Sequence, residues 1–318
     1  MALTAEQQSL LVQATGDNAK AGFPFAPTAY WQNETSKFEA EFRDKGIESF
    51  LESQYNTRFH GVQKNDFRLY GWFLSVFYRL IKARDSLGLL DRMDRGVTES
   101  DVAARAQAWN STDKGTPLRI EGKLIHTDLL FSLHDFYNLY ELYPAIATEP
   151  VVVGDLGAGW GRIGHVLVQA NPRATYLVLD IPGSLVISST TLPALLPTAR
   201  IQSYQGSRGT DEITREKLAD GDVWILGSHD LARTRRGAID ILVNVASFQE
   251  MPADQVNEYL RIFDRIIERG AVYLRNNAFS KFGLAGPKDY RIPSRWRMSF
   301  SRPTPFSEHI FEAGFIVE

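Results

Sequence analysis

The sequence predicts an α/β protein: a doubly wound, Rossmann-like parallel sheet in its C-terminal half, preceded by a mostly helical N-terminal half. Three observations carry this. Val151–Asp180 reads VVVGDLGAGWGRIGHVLVQANPRATYLVLD, an apolar run, a glycine turn, a helical pattern and a second apolar run that ends in an acid. Beyond it, short apolar runs alternate with helical segments, the mark of a parallel sheet covered by helices. Before residue 145 the apolar residues recur at spacings of three and four, and period-two alternation is nearly absent. The expected division is therefore a helical region over 1–145 and a sheet domain over 146–318.

In the helical half, Phe38–Tyr55 and Phe67–Leu90 show helical periodicity, with a turn-rich stretch at Gly22–Pro27. Ile125–Tyr143 predicts a further helix, with Thr127 as a cap and Pro144 marking its end. In the sheet domain further strands are expected at Arg200–Tyr204, Val223–Leu226, Ile239–Val245 and Ala271–Arg275, and a crossover helix at Ala253–Glu268. The last two strands are placed at Arg297–Ser301 and Phe315–Val317, joined by a short helix at Phe306–Ala313.

Composition bounds the function. Of 318 residues, 44% are hydrophobic and 23% charged, the balance of an ordinary globular protein. A net charge of −3 offers no field for nucleic acid. With no cysteine there are no disulfides or thiolate metal sites, which suits the cytoplasm. The N-terminal MALTAEQQSLLVQ lacks the basic and apolar regions of a signal peptide, and the most apolar window, Trp72–Ile81, is too short to span a bilayer. The expected partner is a small molecule, with neither nucleic acid nor membrane, and the aromatic-rich helical half offers a surface for a homodimer.

The glycine turn sets the cofactor question. Glycine permits positive φ and close backbone approach to a ligand. An acid at the tip of the second strand, Asp180, can accept from both hydroxyls of a ribose. Two registers compete. Gly159-x-Gly161-x-x-Gly164 satisfies the dinucleotide fingerprint. Asp155-x-Gly157-x-Gly159-x-Gly161 is the acidic loop typical of S-adenosylmethionine (SAM) methyltransferases. Asp155 favours the second, because a carboxylate there repels a pyrophosphate and attracts the ammonium of a methionine moiety. A glycine turn with no ligand is the third reading. The expected cofactor residues are Asp155, Gly157, Ala158, Gly159, Gly161, Asp180 and Ile181, then Ser228 and His229 after the third strand, and Asn244 after the fourth. His229 and Asn244 also have plain readings, as a surface histidine and as a partner for strand-end backbone.

Methyl transfer to a hydroxyl needs a proton acceptor. Glu250, just beyond Ile239–Val245, is the candidate, against the alternative that it caps the following helix or pairs with an arginine. Tyr30, Trp31, His126 and Asp128 are candidates for the acceptor pocket, from aromatic faces and groups that bind hydroxyls, with core packing and capping as their plain readings. No tight Asp/Glu cluster demands a metal. The basic run from Lys281 to Arg302 reads as a solvated loop or as a site for an acceptor phosphate.

LDIP at Leu179–Pro182 after the glycine loop is similar to the second motif of small-molecule O-methyltransferases. The whole chain resembles the bacterial sugar O-methyltransferase family. The matching segments are PTAYW (Pro27–Trp31), GIESFLESQYN (Gly46–Asn56), GKLIHTDLLFSLHDFY (Gly122–Tyr137), GDLGAGWGRIG, DILVNVASFQEM (Asp240–Met251) and KDYRIPSRW (Lys288–Trp296). The resemblance implies a Rossmann-like SAM-methyltransferase fold with a helical N-terminal lid, and methylation of a sugar hydroxyl; methylation of a non-sugar metabolite at oxygen or nitrogen, and SAM binding by a non-catalytic regulatory protein, are the other two readings. Many plant-type O-methyltransferases carry a His-Asp pair where this chain has Gln249-Glu250, so the resemblance supplies no histidine base.

Overall fold

The computed structural model describes residues 3–28, 31–32, 67–94, 118–120, 123–125, 127–209, 211–279 and 283–318. The chain divides into two compact units. One comprises Met1–Glu6 with Thr35–Tyr137, the other Gln7–Glu34 with Asn138–Glu318.

In the first unit α2 (Phe67–Arg84) is followed by α3 (Leu89–Asp94) and the strands β1 (Leu118–Ile120) and β2 (Lys123–Ile125). Then comes α4 (Thr127–Leu142), whose last turn and a half belongs to the second unit. Phe77, Tyr78 and Ile81 of α2 are buried, and the Phe77 ring packs on Phe131 of α4 at 5.1 Å. The predicted Phe67–Leu90 helix breaks at Asp85–Gly88, because Asp85 turns its carboxylate onto the Leu89 and Leu90 amides (2.7 and 3.1 Å) and starts a new helix. Two further corrections concern this stretch. Ile125 belongs to β2, not to the helix, and β1 and β2 pair antiparallel where no strand was expected. Three residues per strand are too few for period-two alternation to register. The predicted helix Phe38–Tyr55 lies outside the described residues.

The second unit holds an eight-stranded sheet ordered β5-β6-β4-β3-β7-β8-β10-β9. The strands are β3 (Val152–Leu156), β4 (Thr175–Asp180), β5 (Ile201–Gln202), β6 (Val223–Gly227), β7 (Ile241–Val245), β8 (Gly270–Asn277), β9 (Trp296–Thr304) and β10 (Ser307–Val317). β5, β6, β4, β3, β7 and β8 run parallel; β10 is antiparallel to both β8 and β9. Every residue of β3, β4, β6 and β7 is buried, as strands covered on both faces must be. Helices α5 (Arg162–Ala170), α6 (Pro182–Leu195) and α9 (Ala253–Ile266) make the crossovers, and the short helices α7 (Tyr204–Ser207) and α8 (Arg215–Leu218) lie between β5 and β6. On the α9 side, Leu260, Phe263 and Ile266 pack with Leu242, Val272 and Leu274 in the main core. Gly164 of α5 lies on β4 so closely that a Cβ would come within 2.2 Å of the Tyr176 ring.

Two sheet-domain expectations change. The predicted strand Arg200–Tyr204 contracts to Ile201–Gln202, because Ser203 caps a short helix that begins at Tyr204. The helix expected at Phe306–Ala313 is strand: β9 turns at Pro305–Phe306 and returns as β10. β10 is a central strand gripped from both sides, so its pairing outweighs the helical spacing of Ile310, Phe311 and Gly314. Its buried Glu312 receives the Arg302 guanidinium (2.8 Å) and the Asn138 amide (2.9 Å).

Helix α1 (Ala5–Ala21) runs from the first unit into the second. Within the second unit, Gln7 donates to Thr190 of α6 (3.0 Å), and Asp17 accepts from Tyr204 (2.8 Å) and Arg208. The turn after it is pinned to α9, where the Gln255 amide donates to the carbonyls of Pro24 (2.5 Å) and Ala26 (3.2 Å).

Candidate functional site

The chain leaves β3 toward β4 and β6 on one side and later returns to β7 and β8 on the other. The switch between β3 and β7 is where ligands bind in open α/β sheets, outside the carboxyl ends of the strands. Four segments meet along this edge: Leu156–Gly161, Asp180–Gly183, Gly227–Asp230 and Asn244–Met251.

The glycine loop takes the conformation its residues permit. Gly157, Gly159 and Gly161 have φ of 77°, 59° and 88°. Gly157 is further restricted by its neighbour, since a Cβ would lie 2.3 Å from Ser247 Oγ. The Gly157 amide donates to the Leu179 carbonyl (2.8 Å) and the Gly159 amide to Asp180 Oδ2 (2.7 Å), so the tip of β4 shapes the loop. Asp180 Oδ1 accepts from the Ile181 amide (2.7 Å), and the Ser184 hydroxyl also bonds the carboxylate. Burial nevertheless pushes its pKa up to about 6, against the lowering effect of those three donors.

Asp155 is buried on β3, and its Oδ2 accepts from Tyr176 OH at 2.6 Å. At least one of its oxygens is thus engaged beneath α5. Asn244 is wholly buried: its amide donates to the Leu156 carbonyl (2.8 Å), and its Oδ1 accepts from the Phe248 amide and the Asn276 side chain (both 3.0 Å). It ties β3, β8 and the turn after β7 together, the work of its plain reading. That turn is strained at Ala246, a non-glycine residue with φ of 57°.

His229 lies flat on Gly227, where a Cβ would come within 2.3 Å of the ring, and edge-on to Tyr204. His229 Nδ1 is buried and meets no hydrogen-bond partner, and the buried Ser228 side chain lies against the Tyr259 hydroxyl. Tyr259 of α9 is buried too, with its hydroxyl pKa held high by burial and by the nearby Asp180 charge.

Glu250 sits in the turn Phe248–Glu250. The residue keeps some exposed surface, but burial of the carboxyl pushes its pKa up to about 8. The Trp31 side chain, hydrogen-bonded to it, acts in the opposite direction, and the Asp180 charge pushes the same way as burial. Glu250, Trp31, Asp180 and Gly159 therefore belong to one neighbourhood. Glu250 does not cap α9, which begins behind Pro252. Gln249 is occupied, its Oε1 accepting from the Asn277 amide at 2.8 Å.

Tyr30 and His126 lie outside the described residues, and Asp128 is described only as part of α4. Ala158 and Ile181 flank Gly159 and Asp180 in the loop and at the strand tip. In the basic run, Arg295 bonds Asp264 (2.7 Å), Arg297 bonds Glu318 (3.0 Å) and Arg302 bonds Glu141 (2.9 Å), each spent within the unit. Tyr176, Ser184, Gln255 and Tyr259 were not anticipated. The polar pair Asn276-Asn277 closing the apolar strand β8 was a signal; Gln255 looks like any polar helix residue.

This edge of the sheet fits an adenosine cofactor on its own features. The loop has no room for a Cβ at Gly157, and the buried His229 Nδ1 is available to an adenine or ribose. Among the described residues no group of three or more His, Asp or Glu could hold a metal, and no helix is long and apolar enough to cross a membrane.

No family model matches the sequence, and no curated protein matches it. The resemblance to sugar O-methyltransferases is carried by the quoted segments alone. Among solved structures, the chain is similar to the mitomycin 7-O-methyltransferase MmcR, at 15% identity and TM-score 0.37 over 59% of this chain and 57% of that one. It is similar to the magnesium protoporphyrin IX methyltransferase ChlM of Synechocystis PCC 6803 with bound SAM, at 13% identity and TM-score 0.37 over 60% and 76%. It is also similar to an O-methyltransferase family 2 protein of Planctomyces limnophilus DSM 3776 in complex with apigenin, at 13% identity and TM-score 0.37 over 60% and 62%. The chain thus spans little more than half the length of MmcR. At TM-scores below 0.5 these likenesses add no weight to the residue geometry.

Proposed function

We propose that this protein is a SAM-dependent methyltransferase acting on a hydroxyl of a small metabolite. The observation that carries the reading is the charge of the site. Asp180 and Glu250 both have raised pKa values, and among the described residues no lysine, arginine or histidine acts on either. Such a site favours a cationic ligand and disfavours a pyrophosphate. Gly164 favours the second reading, a dinucleotide: its close packing on β4 is the role of the third fingerprint glycine. However, the strand beside β8, parallel in the classic dinucleotide order, is here the antiparallel β10.

The glycine loop and Asp180 would hold the ribose and methionine portions, and Ser228 and His229 the adenine side. When bound, SAM supplies an electrophilic methyl group: the acceptor oxygen takes it, the C–S electron pair stays on sulfur, and one proton is released. Glu250 receives that proton. With a pKa pushed up to about 8, it is close to the operating range that suits a general base. The sugar assignment rests on the matching segments, and the acceptor is a sugar or sugar-bearing metabolite on that basis.

Parallel titration with SAM, S-adenosylhomocysteine and NADH by calorimetry tests the cofactor. Ligand at 100 times its dissociation constant stabilises the fold by about 2.7 kcal/mol. Binding of the two adenosyl sulfur compounds without NADH is expected; binding of NADH alone overturns the reading.

A further inference from the structure

We propose that Asn18 of α1 recognises the adenine base of the cofactor: its side-chain oxygen accepts from the 6-amino group, and its side-chain nitrogen donates to the ring nitrogen beside that group. The inference rests on the adenosine part of the proposed function and adds to it a residue from outside the sheet.

Asn18 is 3% exposed, and neither its Nδ2 nor its Oδ1 meets a hydrogen-bond partner. A buried amide without partners costs stability, and in a native fold it calls for an explanation. Its place in the fold supplies one. Gln7, Leu10, Leu11, Ala14, Asp17 and Asn18 fall on one face of a helix with about 3.6 residues per turn, and Leu10, Leu11, Ala14 and Asn18 are buried. The other two members of that face fix what it meets. Gln7 bonds Thr190 of α6 (3.0 Å), and Asp17 bonds Tyr204 of α7 (2.8 Å). α7 follows the carboxyl end of β5, and the Tyr204 ring stands edge-on to His229 at 6.5 Å. Asn18 therefore arrives at the exit of β6, where His229 Nδ1 is likewise buried without a partner.

Beyond Asn18 the chain crosses the same edge of the sheet. By Pro24–Ala26 it has reached the start of α9, where Gln255 donates to the carbonyls of Pro24 (2.5 Å) and Ala26 (3.2 Å) and Phe25 packs on Tyr259 at 6.0 Å. With the sheet ordered β5-β6-β4-β3-β7, this path runs past the exits of β6 and of β4, which carries Asp180. With the methionine portion on the glycine loop after β3 and the ribose at Asp180 on β4, the base falls on the far side, at β6. A primary amide offers an acceptor and two donors in one plane. Adenine offers an amino donor flanked by ring-nitrogen acceptors, and the two close a pair of hydrogen bonds together. A leucine would fill the place in the ligand-free protein; the amide is satisfied when a base is bound.

Asn18→Leu tests this in the full chain. Without ligand the variant is expected to unfold about 2–4 °C higher, because two unpartnered amide atoms give way to apolar ones of similar shape. Calorimetry then compares S-adenosylhomocysteine with its analogue lacking the 6-amino group. Wild type should bind the analogue about tenfold more weakly. Asn18→Leu and Asn18→Ala should bind S-adenosylhomocysteine about tenfold more weakly than wild type and no longer distinguish it from the analogue. Variants that bind S-adenosylhomocysteine as wild type does, or that still prefer it to the analogue, overturn the proposal. So does a lowered unfolding temperature in both variants, which would show the amide already partnered. NADH carries the same base: if wild type binds NADH and not S-adenosylhomocysteine, the methyltransferase reading fails by itself, and the NADH affinity of Asn18→Leu decides the adenine assignment. Binding of neither overturns both.

Discussion

Replacing Glu250 by glutamine should change how stability depends on pH, and the structure gives both sign and window. In the unfolded chain Glu250 ionises near its ordinary 4.5; in the fold it does so near 8. Between these values the native state keeps a proton that the unfolded state has lost, so stability falls as pH rises from 4.5 to 8 and levels off above. At about 1.4 kcal/mol per pH unit, full burial would give a loss of about 5 kcal/mol. The residue's partial exposure admits water, which reduces this to about 2–3 kcal/mol. Glutamine has nearly the same shape and keeps an oxygen for the Trp31 indole, so the loss should vanish. Urea unfolding followed by circular dichroism at pH 5, 6, 7, 8 and 9 measures the difference. The two proteins should agree within about 1 kcal/mol at pH 5 and diverge to about 2–3 kcal/mol at pH 9, with the variant more stable. Parallel profiles across the range would refute the burial of this carboxyl and, with it, the neighbourhood built around Asp180.

Asp180→Asn turns an NH2 toward either the Gly159 or the Ile181 amide and leaves the other a neutral acceptor, and calorimetry should find SAM binding weaker by about 1–3 kcal/mol. Gly157→Ala forces a Cβ onto Ser247 at a φ of 77°, so thermal unfolding should show a loss of about 1–3 kcal/mol and SAM binding should fall with it. Asn244→Ala removes three buried hydrogen bonds between β3, β8 and the β7 exit, and a loss of about 2–4 kcal/mol is expected in urea unfolding. The methylation rate of a hydroxyl acceptor should rise with pH to a plateau above about 8, a limb absent from Glu250→Gln, which should retain SAM affinity and turn over about 10²–10⁴ times more slowly.

What could be read from the sequence follows the range of the interactions. The strand–glycine turn–strand unit was legible because its determinants lie within thirty residues. Positive φ needs glycine, full burial needs an unbroken apolar run, and the acid falls at the strand tip. β3, β4, β6, β7 and β8 each lie within a residue or two of expectation for that reason. β10 was misread because its conformation is imposed by partners: residues Ile310–Ala313 carry helical spacing, and only the pairing with β8 and β9 makes them strand. The roles of site residues were legible by type but not by partner. Asn244 was singled out as a strand-end amide, yet that its acceptor is also held by Asn276 depends on β7 and β8 being neighbours. Asp155 was read as facing a ligand, and the tyrosine that binds it comes from the next strand, 21 residues on.

The pairing of Trp31 with Glu250 shows most plainly how such a site is assembled. Burying a carboxyl beside another raises the pKa of both, which opposes the ionised form that a proton acceptor requires. A lysine or arginine would restore ionisation, but it would also repel a sulfonium and tie up the carboxylate in an ion pair. An indole N–H resists the rise more gently: it stabilises the anion, carries no charge, and leaves the carboxylate oxygens with lone pairs to spare. Delivering that donor from a segment 219 residues earlier in the chain requires an anchor, and Phe25 with the Gln255–Pro24 and Gln255–Ala26 hydrogen bonds provides one. The buried glutamine on α9, unremarkable in the sequence, therefore holds the turn that precedes Trp31, and Gln255→Ala should lower stability in urea unfolding by about 1–3 kcal/mol.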